Sequence, residues 1–333
     1  MLYHEFDFSA ENTYLPLGKT YTQNNALFLP WNDSGFSFRF YGTGFVLHFG
    51  AYPCPEVPYV RIWVDDLPSQ RFAVTNGSEK IVIDGLAEGE HIARILRITE
   101  GMDPIEIKNV AITGLEPKLL DKPAERPLRL AFIGDSITCG YGVVGASTTA
   151  GYVTHEQDSS RSYAYLAAEL LNAEVQLSGA SGKGIVANCN GDRSDMTLRQ
   201  AFAYKNRQGD AWDHNAWMPD LTVINAGTND AWGGISDEEF INVAQLLLQE
   251  VRAAFPEKPI LWCYGVMDQT KMNAVETAVD AFNKQYGNAY YLPVDTMYGK
   301  PEEIGGGGHP NTVTSERVSG ILASKIKEIL GLI

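Results

Sequence analysis

The spacing of apolar residues changes once along this 333-residue chain, between about residues 115 and 128. Before the change, apolar and polar residues alternate with period two, as in Phe36-Ser37-Phe38-Arg39-Phe40. After it, near-continuous apolar runs alternate with stretches of helical period. Period two is typical of half-buried strands, whereas continuous apolar runs separated by helices are typical of a parallel sheet covered on both faces. The chain is therefore expected to contain two different architectures.

The N-terminal part predicts a β-sandwich of the jelly-roll type over residues 1–118. Strands are predicted at 36–40, 45–49, 59–64, 81–83 and 91–98, with frequent turn residues and no long helix. The first two flank Gly42-Thr43-Gly44 and are interpreted as a hairpin. Residues 119–127, rich in proline and charge, are interpreted as a linker.

The C-terminal part, residues 128–333, predicts a three-layer α/β/α domain with a parallel sheet. Its apolar strands are expected at 128–134, 174–179, 221–227, 259–265 and 289–295. Ser236-Asp237-Glu238-Glu239 has the pattern of a capping box at the start of a helix with one apolar face. Ligands of such sheets bind at the carboxyl ends of the strands, so those ends are where functional residues are expected.

Composition excludes several classes of protein and partner. The chain has 26 Lys and Arg against 41 Asp and Glu, a net charge of −15, which disfavours nucleic acid and anionic membranes as partners. Its cysteines lack the spacing of a disulfide scaffold or zinc site and lie at Cys54, Cys139, Cys189 and Cys263. No signal peptide and no membrane span are visible, so a cytoplasmic location is expected, although a chain whose leader had been removed would look the same.

A serine follows the first strand of the C-terminal part, in Gly134-Asp135-Ser136. This is a position that presents a nucleophile, although a turn serine or a helix N-cap is an equally simple interpretation. The G-x-S-x-G pattern of α/β-hydrolases is excluded because Thr138 occupies the place of the second glycine. The glycine spacing of a dinucleotide fingerprint or a P-loop is also missing.

Three later blocks add candidate residues at the ends of other strands or before the last helix. Gly182 lies in a glycine-rich loop that either binds a ligand through backbone N–H groups or is a plain flexible loop. Asn229, in Gly-Thr-Asn-Asp, either donates to an oxyanion or caps a helix. His309 follows four glycines and precedes a helix that would fix its position.

The order of these four blocks resembles that of the SGNH (GDSL-type) hydrolases over about residues 128–333. The string Gly-Asp-Ser-Ile-Thr-Cys-Gly-Tyr-Gly, together with the N-terminal β domain, is similar to carbohydrate esterase family two, the acetyl xylan and mannan esterases. The resemblance implies that Ser136 is the nucleophile and His309 the base. It also implies an oxyanion hole of the Ser136 and Gly182 N–H groups and the Asn229 amide, with no metal or organic cofactor.

The chain departs from the SGNH pattern beside the histidine. The family usually has an Asp three residues before it, and here that position is Gly306, followed by Gly307. Some members of family two use a Ser–His dyad in which a backbone carbonyl replaces the acid. The carbonyl of Gly306 or Gly307 is therefore expected to orient the imidazole, with Asp295 as the alternative.

The resemblance implies deacetylation of hemicellulose-derived manno- or xylo-oligosaccharides through an acetyl-Ser136 intermediate, a step in hemicellulose degradation. Trp232 and Tyr141 are expected to contact the sugar, whereas Trp262 fits a core position equally well. The β domain either binds carbohydrate or completes one wall of the site. Two alternatives stay open: an esterase or thioesterase acting on other acyl groups, and a carbohydrate-binding protein without activity. The oligomeric state is also left open.

Overall fold

The structure is a computed structural model that describes residues 2–10, 12–53, 56–75 and 79–332. The chain divides into two compact units, Met1–Glu125 and Arg126–Ile333. Every regular element in the described residues of the first unit is a strand. The strands are β1 (Leu2–Phe6), β2 (Leu15–Leu17), β3 (Tyr21–Gln23), β4 (Ala26–Leu29), β5 (Gly35–Gly42), β6 (Gly44–Phe49), β7 (Tyr59–Val64), β8 (Gln70–Ala73), β9 (Lys80–Ile83), β10 (Gly89–Arg97), β11 (Ile105–Gly114) and β12 (Lys118–Leu119).

These strands form two antiparallel sheets that share one apolar core. One sheet has the order β3-β4-β11-β6-β9, with β1 paired to β11, and the other has the order β12-β5-β10-β7-β8, with β2 paired to β5. Alternate residues of both sheets point into the core, which is rich in phenylalanine and includes Phe36, Phe38 and Phe45. The predicted β-sandwich is confirmed.

The predicted hairpin at Gly42-Thr43-Gly44 is wrong. Strand β5 pairs with β2, β10 and β12, whereas β6 pairs with β9 and β11, so the turn crosses from one sheet to the other. This lets the Phe38 and Phe45 rings meet edge to face across the core, with centroids 5.2 Å apart. A glycine is needed at position 42 because a Cβ there would collide with the backbone of Thr113.

The second unit alternates strands and helices. Its strands are β13 (Leu128–Gly134), β14 (Ala173–Gly179), β15 (Leu221–Asn225), β16 (Ile260–Tyr264) and β17 (Ala289–Pro293). Its helices are α1 (Ser136–Cys139), α2 (Tyr163–Leu170), α3 (Leu198–Ala203), α4 (Thr228–Trp232), α5 (Asp237–Ala254), α6 (Met272–Gln285) and α7 (Thr312–Leu330). Short 3₁₀ turns cover Thr154–Glu156, Ser159–Arg161, His214–Ala216, Pro301–Glu303 and Gly306–Gly308.

All neighbouring strands of the second unit are parallel, in the order β14-β13-β15-β16-β17. The predicted parallel sheet with helices is confirmed. Strand β13 pairs with the next strand on one side and with β15 on the other, so the strand order reverses at β13. In sheets of this kind, ligands bind beyond the carboxyl end of the strand where the order reverses. Ser136 lies there.

Side-chain caps fix the starts of two long helices. The Ser236 hydroxyl accepts the N–H of Glu239 at 3.2 Å, so one half of the predicted capping box forms. The Glu239 carboxylate instead bonds to Arg193, which lowers the pKa of that carboxyl. Helix α7 begins after Asn311, whose side chain accepts the N–H groups of Val313 and Thr314. This cap holds the chain two residues beyond His309.

Among the described residues, Cys139, Cys189 and Cys263 form no disulfide with one another, and Cys54 lies outside the described residues. Among the residues described, none of the helices combines the length and the apolar character that a membrane crossing requires.

We expect Phe38→Ala to lower the free energy of unfolding by about 3–5 kcal/mol, because truncating a buried phenylalanine leaves a cavity. The ring is fully buried and packs against Phe36, Phe40 and Phe45. Urea unfolding followed by circular dichroism measures this change. Ile92→Ala, on exposed β10 surface, is the control and should cost about 1 kcal/mol or less. Equal losses for the two variants would contradict the described core.

Candidate active site

The turn after β13 places Ser136 at the carboxyl end of the strand where the strand order reverses. Asp135 precedes α1 in extended conformation, and its Oδ1 accepts the N–H of Ile137 at 3.0 Å. Gly134 is required because a Cβ there would collide with the Thr138 hydroxyl. Ser136 is consequently the first residue of α1 and is 7% exposed.

His309 lies in direct contact with this serine, although 173 residues separate the two in sequence. Its Nε2 is 2.8 Å from Ser136 Oγ, and its Nδ1 is 3.0 Å from the carbonyl oxygen of Gly307. A carbonyl oxygen can only accept, so Nδ1 carries the hydrogen of the neutral ring. The unprotonated Nε2 then accepts the hydrogen of the serine hydroxyl, which is the arrangement that removing this proton requires.

Glycine conformation brings the Gly307 carbonyl to the imidazole. Gly307 and Gly308 have φ of +60° and +71°, in the left-handed region that other residues rarely adopt. The N–H of Gly307 donates to the carbonyl of Thr149 at 2.9 Å, and the N–H of Gly306 to that of Gly142 at 2.9 Å. The glycine run is thereby attached to the loop that follows α1.

The other two candidates for orienting the imidazole lie elsewhere. The Gly306 carbonyl accepts the backbone N–H of His309 at 3.2 Å and not the ring. Asp295 is exposed, and its backbone carbonyl accepts Arg317 at 3.3 Å. Its carboxylate makes no hydrogen bond within the part of the chain that the structure describes. The ring partner is therefore Gly307.

Asn229 links the serine turn to the loop that contains Gly182. Its Nδ2 donates to Asp135 Oδ2 and to the carbonyl of Lys183, both at 3.0 Å. Both hydrogens of this amide thus have protein acceptors, which the sequence did not predict. By contrast, the N–H groups of Ser136 and Gly182 have no protein acceptor among the described residues, so both are available to a ligand.

Asp230, which the sequence analysis did not single out, fixes the loop after Gly182. Its fully buried carboxylate accepts the N–H groups of Ile185, Val186 and Ala187 at 3.0, 2.8 and 3.3 Å. Burial raises the pKa of this carboxyl, and the three donors oppose that rise. The sequence interpretation of Asn-Asp as a helix cap missed this role because the three donors lie more than 40 residues away along the chain.

The three aromatic residues considered for sugar contact differ in their exposure and in their neighbours. Trp232 ends α4 and is 49% exposed. Trp262 is fully buried and donates its indole N–H to the carbonyl of Ala226 at 3.0 Å, so it is a core residue. Tyr141 is half-buried, and its ring packs on the imidazole of His309 with centroids 4.2 Å apart.

Comparison with known protein families shows to which family this part of the chain belongs. The GDSL-like lipase/acylhydrolase family matches residues 132–312, a segment that includes both Ser136 and His309. The chain belongs to this family. Membership confirms the predicted GDSL-type resemblance, and the family is described as lipases and acylhydrolases, which is the class of enzyme that the sequence predicts.

Two relatives are carbohydrate-active proteins by name. Cellulase/esterase CelE of Acetivibrio thermocellus is 28% identical over 314 residues, which cover 90% of this chain and 37% of the relative. An acetylxylan esterase/glucomannan deacetylase of Cellvibrio japonicus is 32% identical over 160 residues, covering 47% of this chain and 44% of the relative. The chain thus spans less than half the length of these two curated relatives.

Solved structures with the same two-part fold include family two carbohydrate esterases. One from Clostridium thermocellum, in complex with cellohexaose, has a TM-score of 0.88 at 26% identity and covers 96% of this chain and 100% of its own. The acetyl xylan esterase Est2A of Butyrivibrio proteoclasticus has a TM-score of 0.90 at 18% identity, covering 100% of both chains, and supports the fold.

We expect Gly307→Ala to lower kcat/KM for 4-nitrophenyl acetate at least about tenfold more than Gly308→Ala. Both substitutions strain a left-handed residue, but only a Cβ at 307 would collide with the Tyr141 ring and displace the carbonyl bound to His309. A Cβ at 308 meets nothing within 4 Å, which makes that variant a matched control. Equal activities of the two variants would show that the carbonyl does not matter.

Proposed function

We propose that this chain is a serine esterase that removes O-acetyl groups from hemicellulose-derived manno- or xylo-oligosaccharides. The observation that carries the proposal is the pair of hydrogen bonds of His309, from Nε2 to the Ser136 hydroxyl and from Nδ1 to the Gly307 carbonyl. Together they give a nucleophile, a base and a fixed tautomer without a carboxylate on the ring nitrogen.

In the first step, Ser136 Oγ forms a bond to the acetyl carbonyl carbon while its proton moves to His309 Nε2. The resulting tetrahedral intermediate collapses, the bond to the sugar oxygen breaks, and the proton on Nε2 passes to that oxygen. Water then attacks the acetyl-Ser136 carbonyl carbon and gives one proton to the same nitrogen, which passes it to the serine oxygen as the acyl bond breaks. Acetic acid leaves and ionises to acetate in solution.

The oxyanion is stabilised by the backbone N–H groups of Ser136 and Gly182, and this role is supported because neither N–H has an acceptor in the described part of the chain. The Asn229 amide, the third donor that the SGNH resemblance implies, must share or release its bond to the Lys183 carbonyl in order to donate to the oxyanion. Removal of one donor of this kind raises a barrier by about 2.7–4 kcal/mol. The Asn229 bond to Asp135 ties this donor to the turn that carries the nucleophile.

Four observations support an acetylated oligosaccharide as substrate. The relatives are named acetylxylan esterase, glucomannan deacetylase and cellulase/esterase. The esterase from Clostridium thermocellum has the same fold and is described in complex with cellohexaose. In this chain, Trp232 is exposed three residues after Asn229, where its ring is available to stack on a sugar. A net charge of −15 also favours a neutral substrate over an anionic one.

A second candidate is an esterase acting on longer acyl groups, which the description of the family as lipase and acylhydrolase favours. The preference for chain length separates the two candidates. A carbohydrate deacetylase should hydrolyse 4-nitrophenyl acetate much faster than the butyrate or longer esters, and the opposite order would favour the second candidate.

We expect Ser136→Ala to lower the rate of acetate release at least about 10³-fold, because the acyl acceptor is removed. The measurement is NMR of acetylated mannan and xylan oligosaccharides incubated with either protein, which reports the sugar backbone and the position of each acetyl group that is lost. Ser324→Ala, on the exposed surface of α7 and 15 residues after His309, is the control. If wild type and Ser136→Ala release acetate equally slowly, the chain is a binding protein and the proposal fails.

A further inference from the structure

An aromatic ring covers the imidazole of His309. The Tyr141 and His309 ring centroids are 4.2 Å apart, with 35° between the ring planes. A centroid separation this short brings the imidazole well within the distance of about 6 Å at which an aromatic face attracts a cation. Tyr141 was expected from the sequence to contact the sugar, whereas in the structure its ring packs on the candidate base.

The chain holds Tyr141 in this position from several sides. Its backbone N–H donates to the carbonyl of Ser136 at 3.0 Å, which ties the tyrosine to the turn that carries the serine. A second ring, that of Tyr152, packs on it with centroids 5.2 Å apart. The Tyr152 hydroxyl donates to Gln157 at 2.9 Å, and Gln157 donates to the carbonyl of Cys139 at 3.2 Å.

This contact matters because the base becomes charged during the reaction. When Nε2 takes the proton of the Ser136 hydroxyl, the imidazole becomes a cation whose other nitrogen faces the dipole of the Gly307 carbonyl. A carbonyl carries only a partial negative charge, so it stabilises the cation less than a carboxylate would. The face of an aromatic ring is also negative, and it is always present without titrating near neutral pH.

We propose that Tyr141 is a positioning residue whose ring holds the His309 imidazole against the Ser136 hydroxyl and stabilises the imidazolium that forms there. The proposal rests on the proposed function, because it concerns the same proton transfer. It assigns to Tyr141 part of the role that the missing carboxylate has in a Ser–His–Asp triad.

The charged groups near His309 have other partners of their own. Glu156 accepts the Thr149 hydroxyl at 2.9 Å, and its carboxylate lies beside Gly306. Glu303 pairs with Arg317 at 2.6 Å. Asp135 accepts Asn229 and the N–H of Ile137. These carboxylates are the same in every variant of Tyr141. A difference between such variants in the pKa of the His309 imidazole or in turnover therefore reports the effect of the ring at position 141.

The first test compares the turnover of two substitutions with 4-nitrophenyl acetate. Tyr141→Leu removes the aromatic face and should lower kcat about tenfold with little change in KM. Tyr141→Phe keeps the face and should recover most of that loss. Tyr286→Leu makes the same change on the exposed surface just before β17, at the opposite end of the strands, and should keep wild-type activity. Equal kcat for Tyr141→Leu and wild type would overturn the proposal.

The second test measures the pKa of the His309 imidazole by NMR, with Ser136→Ala as background so that no turnover is needed. A ring face that stabilises the cation raises this pKa, so we expect a lower value with Leu than with Phe at position 141. Pentafluorophenylalanine at position 141 keeps the shape of Phe but removes the negative face, and it should also lower the pKa. This variant decides the question if Tyr141→Leu does not fold.

The outcomes distinguish the proposal from the function on which it rests. If wild type hydrolyses no acetyl ester but the NMR pKa still falls when the face is removed, the proposed function fails and the ring contact stands. If wild type is active and the pKa is the same for Phe, Leu and pentafluorophenylalanine, Tyr141 serves only as packing and the proposal is overturned. A loss of activity as large for Phe as for Leu would assign the effect to the hydroxyl instead.

Discussion

The hydrogen bond from His309 Nδ1 to the Gly307 carbonyl is the interaction on which the site depends. It fixes the tautomer, so that Nε2 is free to accept the Ser136 hydroxyl hydrogen at 2.8 Å. The backbone around Gly307 is arranged for this contact: it is left-handed, it is bonded to Thr149, and it leaves no room for a side chain beside Tyr141. A run of glycines thus takes the place that a carboxylate has in related hydrolases.

Buried carboxylates in this site hold backbone N–H groups and a side-chain amide in place. Asp135 holds both the N–H of Ile137 and the Asn229 amide, and Asp230 holds three N–H groups of the loop after Gly182. Asp135 directly precedes Ser136, and Asp230 directly follows Asn229; both neighbours have a proposed catalytic role. The two loops that would form the oxyanion hole are therefore fixed before any ligand binds, which lowers the cost of reorganisation in the transition state.

Much of the fold could be predicted from the sequence because buried strands and amphipathic helices leave local patterns. Strand β13 was predicted with its observed bounds, since a buried parallel strand is a continuous apolar run that ends in glycine. The pairing of Ser136 with His309 came from the resemblance of four ordered blocks to the SGNH hydrolases, because no local pattern connects two residues so far apart. What failed depends on long-range partners: periodicity shows that β5 and β6 have buried faces, but not that they join different sheets. The Glu239 carboxylate bonds to Arg193, a partner far away in sequence, and therefore does not complete the predicted capping box. The contact between the Tyr141 and His309 rings is also long-range and has no local sequence pattern.

The most direct test of a Ser–His pair working without a carboxylate is to trap the acyl-enzyme. Wild type is mixed with 4-nitrophenyl acetate, quenched in acid within milliseconds and digested with trypsin, and peptide 130–161 is sequenced by mass spectrometry. We expect one acetyl group on Ser136 in wild type, and none in His309→Gln at the same time point. Acetylation at another residue of that peptide, or equal acetylation of Ser136 in both proteins, would contradict it.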